Sequence, residues 1–141
     1  MQSIEHEEAT IKAFVQRNRQ ERFLSFVASP KNRRKFTREL PHFPWFDRTH
    51  ATPVKWKVDP SLPLWGRHLQ GIESVSRMLR SKGAVRTCWI ISNNPSIDGQ
   101  EMDLDSALES VVDSDWGTIL SCVPGKLAYF KGEDESFLLS R

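Results

Sequence analysis

The sequence predicts a single α+β domain over residues 1–141, with an N-terminal helical hairpin, a Pro/Trp-rich arm, and a small mixed β-sheet of about four strands with two helices. Three observations carry this. Apolar residues recur at helical spacing up to residue 40 and again around residues 72–79 and 104–112. Five of the eight prolines (Pro41, Pro44, Pro53, Pro60, Pro63) crowd into residues 41–66, a density that forbids a long helix there. Short apolar runs at residues 87–92, 117–123 and 126–131 are bounded by turn formers, as strands are. The chain divides accordingly into a basic helical region (1–40), an aromatic arm (41–66) and an α/β core (67–141).

In the first region Ile4, Ile11, Phe14, Val15 and Phe26 fall on one side of a helical wheel, while Phe23, Leu24 and Val27 fall elsewhere. The apolar face therefore rotates, and a break is expected between Asn18 and Arg22. Ser29 before Pro30 reads as an N-cap with proline at the first helical position, opening a second helix that Pro41 ends near Leu40. In the arm, Val54, Trp56 and Val58 alternate with Lys55 and Lys57, which suits a short one-faced strand. Three of the five tryptophans (Trp45, Trp56, Trp65) lie here, so the arm is expected to be sealed onto the core by aromatics rather than to act as a linker.

The third region is the most regular. Ile72, Val75, Met78 and Leu79 form a helical stripe that Gly83 terminates. Residues 87–92 form a buried strand, and Asp103 caps a helix with Leu104, Ala107, Leu108, Val111 and Val112 inward. Residues 117–123, a Pro124-Gly125 turn, residues 126–131 and residues 137–140 supply the remaining strands. Trp89 and Trp116 bracket this part and are expected in the core.

Charge is distributed unevenly. The formal net charge is +2, but residues 1–70 hold 13 Lys/Arg against 7 Asp/Glu, whereas residues 71–141 hold 7 against 11. Between Lys12 and Arg38 there are nine basic residues and one acidic residue, Glu21. Such an excess bears on association rather than on fold. With 38% hydrophobic and 27% charged residues, the composition is that of a folded globular chain. No apolar run reaches the roughly 18 residues of a membrane span, and the start is acidic where a secretory signal is basic and then apolar. Cys88 and Cys122 each lie in an apolar stretch and read as buried thiols of a reducing compartment. The expected location is the cytoplasm.

The stretch Cys88-Trp-Ile-Ile-Ser, the turn Ile97-Asp98-Gly99, and the run from Gly117 through Leu127-Ala-Tyr-Phe-Lys-Gly-Glu resemble the C-terminal half of small bacterial proteins of unassigned activity. The resemblance covers about half of the chain and implies a bacterial cytoplasmic protein, with no ligand or catalytic residue attached.

Chemistry-bearing patterns are sparse. No HExxH, GxSxG, CxxC, Walker A or GxGxxG pattern occurs. Asn94, Ser96, Asp98, Gly99 and Asp105 fall at the steps of a degraded calcium loop, but the same residues are what tight turns are made of. Asp98, Glu101, Asp103 and Asp105 could hold a metal or serve as acid and base, with Asp103 better explained as a cap. His42, Asp47 and His50 lie within nine residues, a spacing more often ordinary than ligating. The basic run remains: Arg17, Arg19, Arg22, Arg33, Arg34, Lys35 and Arg38, with Trp45 and Trp56 as aromatic neighbours. The reading is a non-enzymatic binding or regulatory module for an acidic protein partner, without cofactor, metal or membrane. The alternatives are a nucleic-acid binder using the same patch, with Phe36, Phe43, Trp45, Phe46 and Trp56 stacking on bases, or a small enzyme using residues 98–105. The acidic C-terminal half is itself an available internal partner, so pairing decides whether the run is architecture or a site.

Overall fold

A computed structural model of the chain describes residues 2–55, 59–112 and 114–141. The elements are α1 (Gln2–Phe14), α2 (Arg17–Val27), α3 (Arg33–Thr37), a 3-10 turn (Leu40–His42), β1 (Ala51–Pro53), α4 (Leu64–Ser81), β2 (Thr87–Ser92), β3 (Glu101–Asp103), α5 (Leu104–Val111), β4 (Thr118–Val123), β5 (Leu127–Lys131) and β6 (Ser136–Ser140). The class is α+β, as the sequence predicts. The sheet, however, has six strands in the order β1-β6-β5-β4-β2-β3, and every neighbouring pair is antiparallel rather than mixed. The two unexpected strands, β1 and β3, are three-residue edges. Pro53 in one and Glu101 and Asp103 in the other make both edges poor templates for further pairing.

Alternation along the strands sends side chains to two helical layers. Ile91, Ile119, Ala128, Phe130, Phe137 and Leu139 pack with α1, α2, α3 and the arm. Ile90, Leu120, Cys122, Tyr129 and Leu138 pack with α4 and α5. The first layer is aromatic: Phe46 lies 4.7 Å from Phe43 and 4.9 Å from Phe130, ring centre to ring centre, and Phe23 lies 5.3 Å from both Phe36 and Phe43. These edge-on and tilted contacts add to the area that the rings bury.

The helical break falls at Val15 and Gln16, earlier than the expected Asn18 to Arg22. Val15 bridges Phe46, the Gln16 amide donates to the Trp45 carbonyl (2.7 Å), and the Asp47 amide donates to the Phe14 carbonyl (2.7 Å). The aromatic arm thus satisfies backbone groups that end α1, and α2 restarts at a new angle. Ser29 is not an N-cap. Its carbonyl accepts from the Asn32 and Arg33 amides in a turn, and α3 starts at Arg33 without a side-chain cap.

In the arm, the strand expected at Val54, Trp56 and Val58 is not formed at Val54 and Lys55; β1 lies before it and ends at Pro53. Val54 still donates to the Ser136 carbonyl at 2.9 Å, whereas Trp56 and Val58 lie outside the described residues. α4 begins at Leu64, so Trp65 belongs to a helix and is 70% exposed instead of sealing the arm. Trp116 is also exposed rather than in the core, and Trp89 is half-buried with its indole donating to Glu7. The later expectations agree closely. β2 spans the expected residues, Asp103 accepts from the Ser106 amide to cap α5, Gly83 has a positive φ after α4, and Gly125 has one in the β4–β5 turn. Among the described residues no helix is long and apolar enough to cross a membrane.

Candidate anion-binding site

α3 is built on Phe36 and Thr37, both buried, which turns Arg34 and Lys35 outward. Arg33 faces inward and binds two carboxylates. Its Nε donates to Glu7 Oε1 and Oε2 (2.9 and 3.1 Å), its Nη2 to Glu7 Oε2 (2.7 Å) and Asp98 Oδ1 (2.9 Å), and its Nη1 to Asp98 Oδ2. Burial disfavours the charged guanidinium, but the hydrogen bonds to Glu7 and Asp98 outweigh it and hold the proton more tightly than usual. Glu7 is almost wholly buried and also accepts from Trp89 Nε1 at 3.0 Å. Asp98 in turn accepts from the Ser92 amide at 2.9 Å. One arginine therefore ties α1, α3, β2 and the β2–β3 loop together, and every carboxylate oxygen it meets is occupied.

Beside it, Arg34 and Arg38 stand one helical turn apart, exposed, and neither enters an ion pair among the described residues. They line a cavity of about 200 Å³ together with Thr37, Asn93, Pro95, Ser92 and Asp98. Asn93 Oδ1 accepts from the Gly117 amide at 2.8 Å, which leaves its amide NH₂ as the group available to a ligand. Ser92 Oγ is committed to Thr118 Oγ1 (2.7 Å), the Gly117 carbonyl (3.2 Å) and the Asn94 amide (3.0 Å). The lining side chains with donors to offer are thus Arg34, Arg38 and Asn93.

Comparison of the chain with known protein families, curated proteins and solved structures finds no match. The chemistry rests on the side chains themselves. The basic run separates into two sets. Arg33 is internal, Arg22 pairs with Glu39 at 3.1 Å, and Arg19 lies 3.8 Å over the Trp45 ring. Arg17, Arg34, Lys35 and Arg38 are exposed and outside any ion pair among the described residues, with Lys35 Nζ 5.8 Å from the Phe26 ring centre. Trp56 lies outside the described residues. Phe36, Phe43 and Phe46, expected as stacking surfaces, are buried in the aromatic core.

The acidic loop does not form one constellation. Asp98 belongs to Arg33, Asp103 caps α5, Asp105 accepts from Ser76 (2.7 Å) and lies 3.3 Å from Arg80, and Glu101 is exposed on an edge strand. Asn94 Oδ1 accepts from the Ser96 amide, and Gly99 takes a positive φ, so residues 94–99 are turns. No group of three or more potential metal ligands occurs among the described residues. His42 pairs with Glu133 at 2.8 Å, whereas Asp47 accepts from Thr49, so these two face different partners.

The sequence reading missed Glu7, Asn93 and the pairing of His6 Nδ1 with Ser121 Oγ at 2.7 Å. That Ser–His contact is structural, because Ser121 is wholly buried and no substrate reaches its hydroxyl. Desolvation lowers the His6 pKa, partly opposed by Glu5, Glu101 and Glu7. Burial pushes the Cys88 thiol up and the Cys122 thiol up to about 12, so both remain inert thiols.

Proposed function

We propose that this chain is a non-enzymatic binding or regulatory module that recognises an acidic protein partner through cations its own fold leaves unneutralised. Arg34 and Arg38 form the centre, with Arg17 and Lys35 as further exposed charges. The observation that carries this reading is the contrast within one turn of α3: Arg33 is saturated by Glu7 and Asp98, while Arg34 and Arg38 line an open cavity without an acidic partner of their own. Arginine suits bidentate recognition of carboxylates and related oxyanions.

The same charges suit nucleic acid, but base stacking requires open aromatic faces. Within the basic region and the start of the arm, Phe36, Phe43 and Phe46 are internal and Trp45 is covered by Arg19, and the exposed Trp65 and Trp116 lie outside the basic run, which favours a protein partner at Arg34 and Arg38. The test compares a glutamate-rich peptide with single-stranded DNA of equal charge. The peptide is expected to bind at about 0.05 M salt and to lose about tenfold in affinity in the R34Q/R38Q variant. DNA binding at least tenfold tighter than the peptide, or peptide binding unchanged in the variant, contradicts the reading.

A further inference from the structure

We propose that the cavity between α3 and the β2–β3 loop is a phosphoryl-binding subsite that takes a phosphorylated serine or threonine of the acidic protein partner. This deepens the reading above and rests on it. Three donor-bearing residues line the cavity: Arg34 and Arg38, one helical turn apart, and Asn93, whose side-chain oxygen accepts from the Gly117 amide. A carboxylate is satisfied by one planar fork, as Glu7 is by the Nε and Nη2 of Arg33. A phosphate monoester offers three acceptor oxygens in a tetrahedral array, and two arginines with a third donor match that array better than a planar carboxylate does.

The wall carries one carboxylate, Asp98, which by itself repels an anion. Arg33, shared with Glu7, donates to both of its oxygens, and the Ser92 amide donates to one of them, so each Asp98 oxygen already accepts from the fold. Arg33 is thus a positioning residue: it fixes the loop that presents Asn93 and offsets part of the negative charge of Glu7 and Asp98, and the exposed charges of Arg34 and Arg38 outweigh the remainder. Ser92 contributes no donor, because its hydroxyl is already engaged with Thr118 and the Gly117 carbonyl. The cavity, at about 200 Å³, is of a size for a phosphoryl group with accompanying water rather than for an extended ligand.

The test is an NMR titration of the full chain with a short glutamate-flanked peptide carrying phosphoserine, serine or glutamate at its centre, and separately with inorganic phosphate. The phosphoserine peptide is expected to shift the side-chain signals of Arg34, Arg38 and Asn93 and to bind about tenfold tighter than the serine peptide and about fivefold tighter than the glutamate peptide. R34Q/R38Q removes that gain, while K82Q, at the exposed C-terminal end of α4, retains it. Equal affinity for the phosphoserine and glutamate peptides, with the same shifts, overturns the phosphoryl subsite and leaves the acidic-partner reading standing. No shift of those signals with any peptide overturns both. Inorganic phosphate binding as tightly as the phosphoserine peptide, or a 5′-phosphorylated oligonucleotide binding more tightly at the same signals, overturns the protein source of the phosphoryl group.

Discussion

At the scale of single residues, Arg33 and Arg34 are adjacent in sequence and opposite in role. Arg33 keeps Glu7 from being a buried charge without a counterion, and breaking such a pair costs far more than an exposed pair yields. Arg33→Met is therefore expected to destabilise the fold by about 3 kcal/mol in urea unfolding. Arg34→Gln and Arg38→Gln, which break no ion pair, are expected to stay within about 0.5 kcal/mol of the parent. His6 gives a second residue-scale prediction. Burial lowers its folded-state pKa below the ordinary 6.5, so the unfolded chain takes the proton first as pH falls. Stability is therefore lost as pH drops below about 6.5, the loss levelling off once the folded state also protonates. His6→Gln is expected to flatten that part of the profile, measured as unfolding midpoint against pH between about 7 and 5.

At the scale of elements, the joins matter more than the elements. Gly117, at the entry to β4, lies under the Leu40–Pro41 turn, and a Cβ there would sit 2.2 Å from the Leu40 carbonyl carbon and the Pro41 nitrogen. Gly117→Ala is expected to cost about 3 kcal/mol or to prevent folding, because two backbones must separate. Gly99→Ala meets open space and is expected to cost only about 1–2 kcal/mol, from its φ of +71°. Unfolding curves of the two variants separate the steric from the conformational cause.

The same scale shows what was legible in the sequence. β2, the Asp103 cap and the Gly83 stop follow from local pattern, because periodicity and caps are local properties. The break at Val15 and Gln16 is not local: it depends on Trp45 and Asp47, some thirty residues away, supplying backbone partners. β1 and β3 leave no sequence signal because three residues carry no measurable alternation, and Trp65 lies in a helix because α4 extends N-terminally beyond the apolar stripe starting at Ile72. At the site, the cationic run was plain, yet nothing in its spacing distinguished Arg33 from Arg34. That distinction comes from Glu7 and Asp98, which lie 26 and 65 residues from Arg33.

For the molecule as a whole, the uneven charge is resolved in two ways. Part of it is architecture, since Arg33 joins the basic region to Asp98 of the acidic half. The rest, at Arg17, Arg34, Lys35 and Arg38, stays outside any ion pair among the described residues, and it is this part that the proposed acidic partner would meet. Salt distinguishes the two, because partly buried pairs are screened much less than exposed charges. Raising salt from about 0.05 to 0.5 M is expected to leave the unfolding midpoint nearly unchanged while weakening binding of the glutamate-rich peptide at least about tenfold.

The division of labour within the basic run is tested most directly by following arginine Nε–H signals by NMR during titration with that peptide. Arg33 Nε–H, which donates to both Glu7 oxygens, is expected to exchange slowly with solvent and to stay in place, while Arg34 and Arg38 exchange fast and shift on binding. Fast exchange at Arg33, or a shift at Arg33 with none at Arg34 and Arg38, would contradict the account.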